Sequence, residues 1–167
     1  MVEDALSKAA KRLLTLCRAR SITLTTAESC TGGLVAAALT EIPGSSDVLD
    51  RGFVTYSNAA KQAMLDVSDD ILERFGAVSR ETAEAMARGA LAHSDATISV
   101  AVTGIAGPGG GSATKPVGLV HFAAATRDGR GVHREKRYGK IGRRRVRLRA
   151  AAEALAILQS LADGGRV

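Results

Sequence analysis

Residues 21–39 read SITLTTAESCTGGLVAAAL, and this run decides the architecture. Ser21 to Ala27 is short and β-branched, as a buried strand is. Gly32 and Gly33 then permit a sharp turn, and Leu34 to Ile42 returns to helical composition before Pro43 and Gly44. A strand feeding a helix through a glycine turn is the repeating unit of an α/β fold. Ser29, Cys30 and Thr31 stand at that junction. A nucleophile, a phosphate cradle of backbone N–H groups, and a plain helix cap by Ser29 or Thr31 all fit such a spacing.

Upstream, Leu6, Ala9, Ala10, Leu13, Leu14 and Cys17 fall at three- and four-residue steps, which predicts an amphipathic helix over 4–19. Downstream, RGFVTYS (51–57) predicts a strand and NAAKQAMLDV (58–67) a short helix with Asn58 as its N-cap. A helix follows from Ser68 to Phe75, and another in SRETAEAMARGALAHS (79–94) capped by Ser79. ATISVAVTG (96–104) is a core strand leading into the glycine-rich loop IAGPGGGSATKP (105–116). VGLVHFAAAT, the turn RDGRG and VHREKRY form a hairpin, and residues 143–162 close the chain as a helix. Helices before, between and after the strands predict one domain over 1–167, its sheet covered on both faces.

Composition narrows the class. The 167 residues are 46% hydrophobic but only 3% aromatic, without Trp, so the core must be built from Ala, Val, Leu and Ile. The two cysteines, Cys17 and Cys30, have no metal-ligand spacing, and no bound metal or cofactor is expected. With no stretch of spanning length and no signal-peptide pattern at the N-terminus, the expectation is a soluble, cytoplasmic chain without a membrane partner. The net charge of +6 is localised: residues 1–130 hold 13 Lys+Arg against 14 Asp+Glu, and residues 131–167 hold 10 against 3. Arg143 to Arg149, RRRVRLR, lacks interleaved aromatics, so a solvated helix face with an arginine recruited to an anionic ligand is expected ahead of nucleic-acid binding.

Sites in covered sheets gather where loops leave the strand ends. Three loops qualify: Ala27–Gly33, Ser57–Lys61 and Gly104–Lys115. A serine at such a junction needs a base, yet His93, His121 and His133 all lie outside these loops, which argues against a Ser-His-Asp triad. Lysine remains: Lys61 lies one turn into its helix, where partial removal from water disfavours the ammonium and lets it take a serine proton. Tyr56, five residues earlier, could relay that proton. In TGIAGPGGGS, Thr103, Gly104 and Gly107 could cradle a phosphate, although the loop does not match the G-x-x-x-x-G-K-[ST] pattern. Each feature has a plain alternative: a helix cap, a solvated lysine, a tyrosine packed at the sheet edge, a surface loop.

AESCTGG, GFVTYSNAAK, GAVS, VTGIAGPGGGSATKPVG and VRLRA stand in that order along the chain. The set resembles the CinA C-terminal domain family, in its stand-alone nicotinamide-nucleotide amidohydrolase form, from about Leu6 to Leu161. The resemblance implies a three-layer α/β/α sandwich with a mixed central sheet, and hydrolysis of the amide of nicotinamide mononucleotide (NMN) to nicotinate mononucleotide and ammonia without a metal. It implies Ser29 as nucleophile, Lys61 as base and Tyr56 as proton-transfer partner, with N–H groups of Cys30, Thr31, Gly32 and Gly33 around the oxyanion. Asn58, Thr103, Gly104, Gly107 and an arginine of the tail are implied on the substrate side. The family's closing pattern usually reads Gly-Asp-Arg, two residues, then Val-Arg. Alignment on Val146 and Arg147 makes Arg143 the counterpart of that arginine, with Arg144 as the alternative, while Ile141 and Gly142 stand where Gly and Asp are expected. A homo-oligomer is a further expectation, and a non-catalytic nucleotide-binding or regulatory module, linked to competence or damage response, is the alternative reading.

Overall fold

The computed structural model describes residues 2–165, with side chains from residue 5; Met1, Arg166 and Val167 of the expected 1–167 domain lie outside the described residues. Helix α1 (Val2–Ala19) precedes strand β1 (Leu24–Glu28), helix α2 (Leu34–Thr40) and strand β2 (Leu49–Val54). Helices α3 (Asn58–Leu65), α4 (Asp69–Phe75) and α5 (Arg80–Ala92) lead to β3 (Ile98–Gly104), then β4 (Leu119–Thr126), β5 (Gly131–Arg137) and α6 (Arg143–Ala162). The sheet order is β2-β1-β3-β4-β5. β1 runs parallel to both its neighbours, and β4 and β5 are antiparallel, so the sheet is mixed.

The period-2 alternation of each strand sorts the core into two layers. Leu24, Ile98, Val100, Val102, Val120 and Phe122 face a layer built from α1, α2 and α6, where Leu13, Leu14, Leu39, Leu155 and Leu158 are fully buried. The other sheet face carries Ala27, Ala101 and Ala123, and α5 lies on it with Ala83, Met86, Ala87 and Ala90. Small residues on both surfaces let α5 approach closely, and Gly89 continues that logic: a Cβ there would stand 2.0 Å from the Leu65 carbonyl oxygen. The fold is the expected α/β sandwich, assembled largely without aromatic side chains.

Local differences from the sequence reading have simple causes. β2 begins and ends earlier than 51–57, so Tyr56 and Ser57 belong to the loop that follows it. Asn58 is not the N-cap of α3. Ser57 takes that place with extended backbone, and its hydroxyl accepts the Ala60 N–H at 3.0 Å. Ser68 and Ser79 cap α4 and α5 in the same way. No helix among the described residues is long and apolar enough to cross a membrane.

Candidate active site

β1 sits in the parallel part of the sheet, between β2 and β3, so the turn leaving its carboxyl end is flanked by both neighbouring strand ends. Ser29 prolongs the ladder, its N–H donating to the Val102 carbonyl, while the Thr55 N–H donates to the Glu28 carbonyl on the other side. The backbone under the serine is therefore held by two strands before the chain turns away.

A cavity of about 270 Å³ opens above this point, lined by Ser29, Cys30, Tyr56, Lys61, Thr103, Gly104, Gly107 and Arg143 together with Ala77, Val78 and neighbouring loop residues. The three loops singled out by the sequence meet here. Lys61 enters from the first turn of α3 and is 1% exposed. Its Nζ lies 3.1 Å from Ser29 Oγ and donates to the Thr55 carbonyl at 2.9 Å. Both partners are uncharged, so burial has no paired carboxylate to offset it, and desolvation lowers the lysine pKa from its ordinary value. A larger share of neutral amine at physiological pH follows. The adjacent Cys30 thiol is pushed the other way, up to about 12, mainly by burial, and stays protonated at neutral pH. Of the two potential nucleophiles side by side, only Ser29 has a base in contact.

The far wall is formed by the start of α6 and the glycine loop. Arg143 donates to the Gly107 carbonyl at 2.9 Å and to the Tyr56 hydroxyl at 2.8 Å. The position where the family pattern has Asp is Gly142, the N-cap of α6, at φ 95° and without a side-chain cap. A carbonyl and a phenol therefore orient the guanidinium where an acid was expected. Arg144 is exposed and does not line the cavity, because the helical step to position 144 turns its side chain by about 100°. Thr103 does line it, but its hydroxyl donates to the Ala77 carbonyl at 2.6 Å, which leaves its oxygen to the cavity only as an acceptor. Asn58 is exposed and outside the cavity lining.

The turn itself departs from a simple serine cap. Neither Ser29 nor Thr31 caps α2; Gly33 is its N-cap residue at φ 98°, a conformation that glycine adopts without strain. The capping oxygens come from Glu28, which is fully buried and accepts N–H bonds from Gly33 at 3.1 Å, Val35 at 3.0 Å and Ala36 at 2.9 Å. The Gly32 N–H is also engaged, donating to the Ser29 carbonyl. Gly32 and Gly33 therefore shape the turn but do not have free donors for an oxyanion, and of the turn's N–H groups those of Cys30 and Thr31 donate to no other described residue; Cys30 lines the cavity, whereas Thr31 is fully buried and does not. Glu28 gave no signal in the sequence, where it reads as any carboxylate after a strand. Its replacement leaves one buried and two half-buried N–H donors without their acceptor, so Glu28→Ala should lower unfolding stability by about 2–4 kcal/mol, read from urea denaturation.

The sequence profile of the CinA C-terminal domain matches residues 6–162. A nicotinamide-nucleotide amidohydrolase PncC from Enterobacter agglomerans is 51% identical over 138 residues, 83% of this chain and 84% of that one. A putative competence-damage inducible protein from Caldicellulosiruptor bescii is 55% identical over 109 residues, 65% of this chain, which spans 26% of that relative's length. Among solved structures, the competence/damage inducible protein CihA from Agrobacterium tumefaciens superposes with a TM-score of 0.92 at 57% identity, covering 93% of this chain and 94% of that one.

Proposed function

This chain belongs to the CinA C-terminal domain family, and on that premise we propose that it hydrolyses the carboxamide of NMN to nicotinate mononucleotide and ammonia, with Ser29 as nucleophile and Lys61 as base. The observation that carries the reading is the 3.1 Å contact between Ser29 Oγ and the buried, uncharged-partnered Nζ of Lys61, inside a cavity. The name carried by the full-length amidohydrolase relative supplies the substrate class.

The steps follow from the positions. Neutral Lys61 takes the Ser29 hydroxyl proton as Oγ attacks the carboxamide carbon. The oxyanion that forms is stabilised by the Cys30 N–H at the cavity wall. The carbon–nitrogen bond then breaks, the proton held on Lys61 passes to the leaving nitrogen, and ammonia departs. Water attacks the acyl ester and gives up a proton to Lys61, the bond to Ser29 Oγ breaks as Lys61 returns that proton to Oγ, and the product acid ionises into solvent, leaving the serine and the neutral lysine regenerated. Tyr56, held by Arg143, stands where it can assist proton movement at the cavity mouth. Arg143 and the glycine loop take the phosphate and ribose, the guanidinium exchanging its neutral partners for a phosphate oxygen.

Purified protein given NMN without added metal should release ammonia and nicotinate mononucleotide in equal amounts; binding of NMN without release would instead favour a regulatory module, the alternative suggested by the competence-damage inducible relative. The far wall has its own test. Arg143→Ala should raise KM for NMN by about 10- to 100-fold, the loss of one charge-assisted contact, while Arg144→Ala should change it by less than about twofold. Equal KM values in the two variants would remove Arg143 from phosphate recognition.

A further inference from the structure

The turn that carries Ser29 is held from two sides by groups of opposite charge. Glu28 takes N–H groups on its helical side. On the other side Arg147, one helical turn after Arg143 and on the same face of α6, donates from Nε to the Cys30 carbonyl at 3.1 Å and from Nη2 to the Thr31 carbonyl at 2.9 Å. A trans peptide points its N–H opposite to its C=O. The Cys30 carbonyl faces the guanidinium, so the Thr31 N–H faces away from it. The Ser29 carbonyl is turned into the loop to accept from Gly32, so the Cys30 N–H faces outward. The direction of the Thr31 N–H is thus set by Arg147, and that of the Cys30 N–H by the Gly32–Ser29 bond, whose Gly32 peptide Arg147 holds through the Thr31 carbonyl. The bond to the Cys30 carbonyl polarises the peptide unit of the Thr31 N–H, and the bond to the Thr31 carbonyl polarises that of the Gly32 N–H, which donates to the Ser29 carbonyl and so polarises in turn the peptide unit of the Cys30 N–H.

We propose that Arg147 is a positioning residue for catalysis: through the Thr31–Gly32 peptide and its bond to the Ser29 carbonyl it sets the direction and donor strength of the Cys30 N–H that receives the oxyanion, without touching the substrate. This rests on the serine-nucleophile reading above. The fork of a guanidinium suits two adjacent carbonyls, which an ammonium cannot bridge in the same geometry.

The test uses the whole chain with Arg147→Lys and Arg147→Met, each checked by circular dichroism against the parent. Arg147→Lys, which keeps the charge, should lower kcat for NMN by about 10- to 100-fold with KM within about threefold, the pattern of a lost transition-state contact. A fluorophosphonate probe, whose phosphorus is attacked by Ser29 Oγ with charge developing on the phosphonyl oxygen before fluoride leaves, should label the Ser29 peptide more slowly by a similar factor. That readout separates the two claims: a parent labelled at Ser29 but inactive on NMN would remove the substrate reading, while the labelling ratio would still decide the role of Arg147. Parental kcat and labelling rate in both folded variants would overturn the proposal. So would a loss confined to KM, or a loss recovered at high pH through a displaced Lys61 limb, since Arg147 would then act on the substrate or on the base.

Discussion

Ser29→Ala should abolish ammonia release from NMN, a fall in kcat of at least about 10⁴-fold, because the residual catalysis by binding and oxyanion contacts has no nucleophile to act on. The protein should stay folded. Ser29 contributes a single hydroxyl at the cavity wall, 8% exposed, and its backbone bond to Val102 is untouched by the substitution. A stability change within about 1 kcal/mol is the expectation for such a site, so activity and stability separate cleanly in one variant. NMN binding measured by calorimetry should remain near the parental affinity. Ammonia release at the parental rate from folded Ser29→Ala would mean that another group or a bound water attacks the amide.

Lys61→Met should lower kcat by about 10³-fold or more, the combined loss of the base that activates Ser29 and of the acid that protonates the leaving nitrogen. Lys61→Arg should be equally inactive, since a guanidinium stays charged and cannot accept the proton. The stability expectation differs from the usual one for a buried polar group. In the folded protein the lysine pKa lies below its ordinary value of 10.5 because of desolvation. Between the lowered folded value and 10.5 the unfolded chain binds more protons than the native one, so stability rises with pH across that window. Below the folded value the full cost of a buried ammonium is present. Methionine removes that cost and also removes the bond to the Thr55 carbonyl, two opposing effects that should leave Lys61→Met within about 1 kcal/mol of the parent at neutral pH. In the parent, kcat/KM should increase with pH through the folded Lys61 pKa and then level. A profile with no ascending limb anywhere below pH 10.5 would remove lysine as the base.

The sequence shows its elements where a periodic signal is strong. Alternation in residues 96–104 marks β3, and the alanine-rich runs with a serine ahead mark α5. The long basic helix also begins at the expected Arg143. Ser29, Lys61, Tyr56 and Thr103 were reachable because each stands at a strand end or within one helical turn of it, and carboxyl ends of strands converge in space. What was not legible depends on direction. Ser57 and Asn58 are adjacent and equally good caps, and only the extended backbone at Ser57 chooses between them. Arg143 and Arg144 differ by one step of helical phase. Glu28 and Arg147 look like solvated charges, and become structural only because β1 is internal to the sheet and α6 crosses beside the turn. Their partners are backbone groups, which a linear sequence does not display.

The same feature hides from the sequence which N–H groups of the turn are already engaged. Four consecutive N–H groups precede α2, and the glycines invite the view that all four are available. Accounting for each one assigns Gly33 to Glu28 and Gly32 to Ser29, and leaves Cys30 and Thr31.

The most direct measurement on the central claim is product partitioning with hydroxylamine. If the amide carbon is transferred to Ser29 Oγ, the acyl ester can be intercepted, and turnover of NMN in the presence of hydroxylamine should yield the hydroxamate of nicotinate mononucleotide in place of part of the acid, in proportion to hydroxylamine concentration. Ser29→Ala should form neither. Nicotinate mononucleotide as the sole product at saturating hydroxylamine, with ammonia still released, would contradict a serine acyl intermediate.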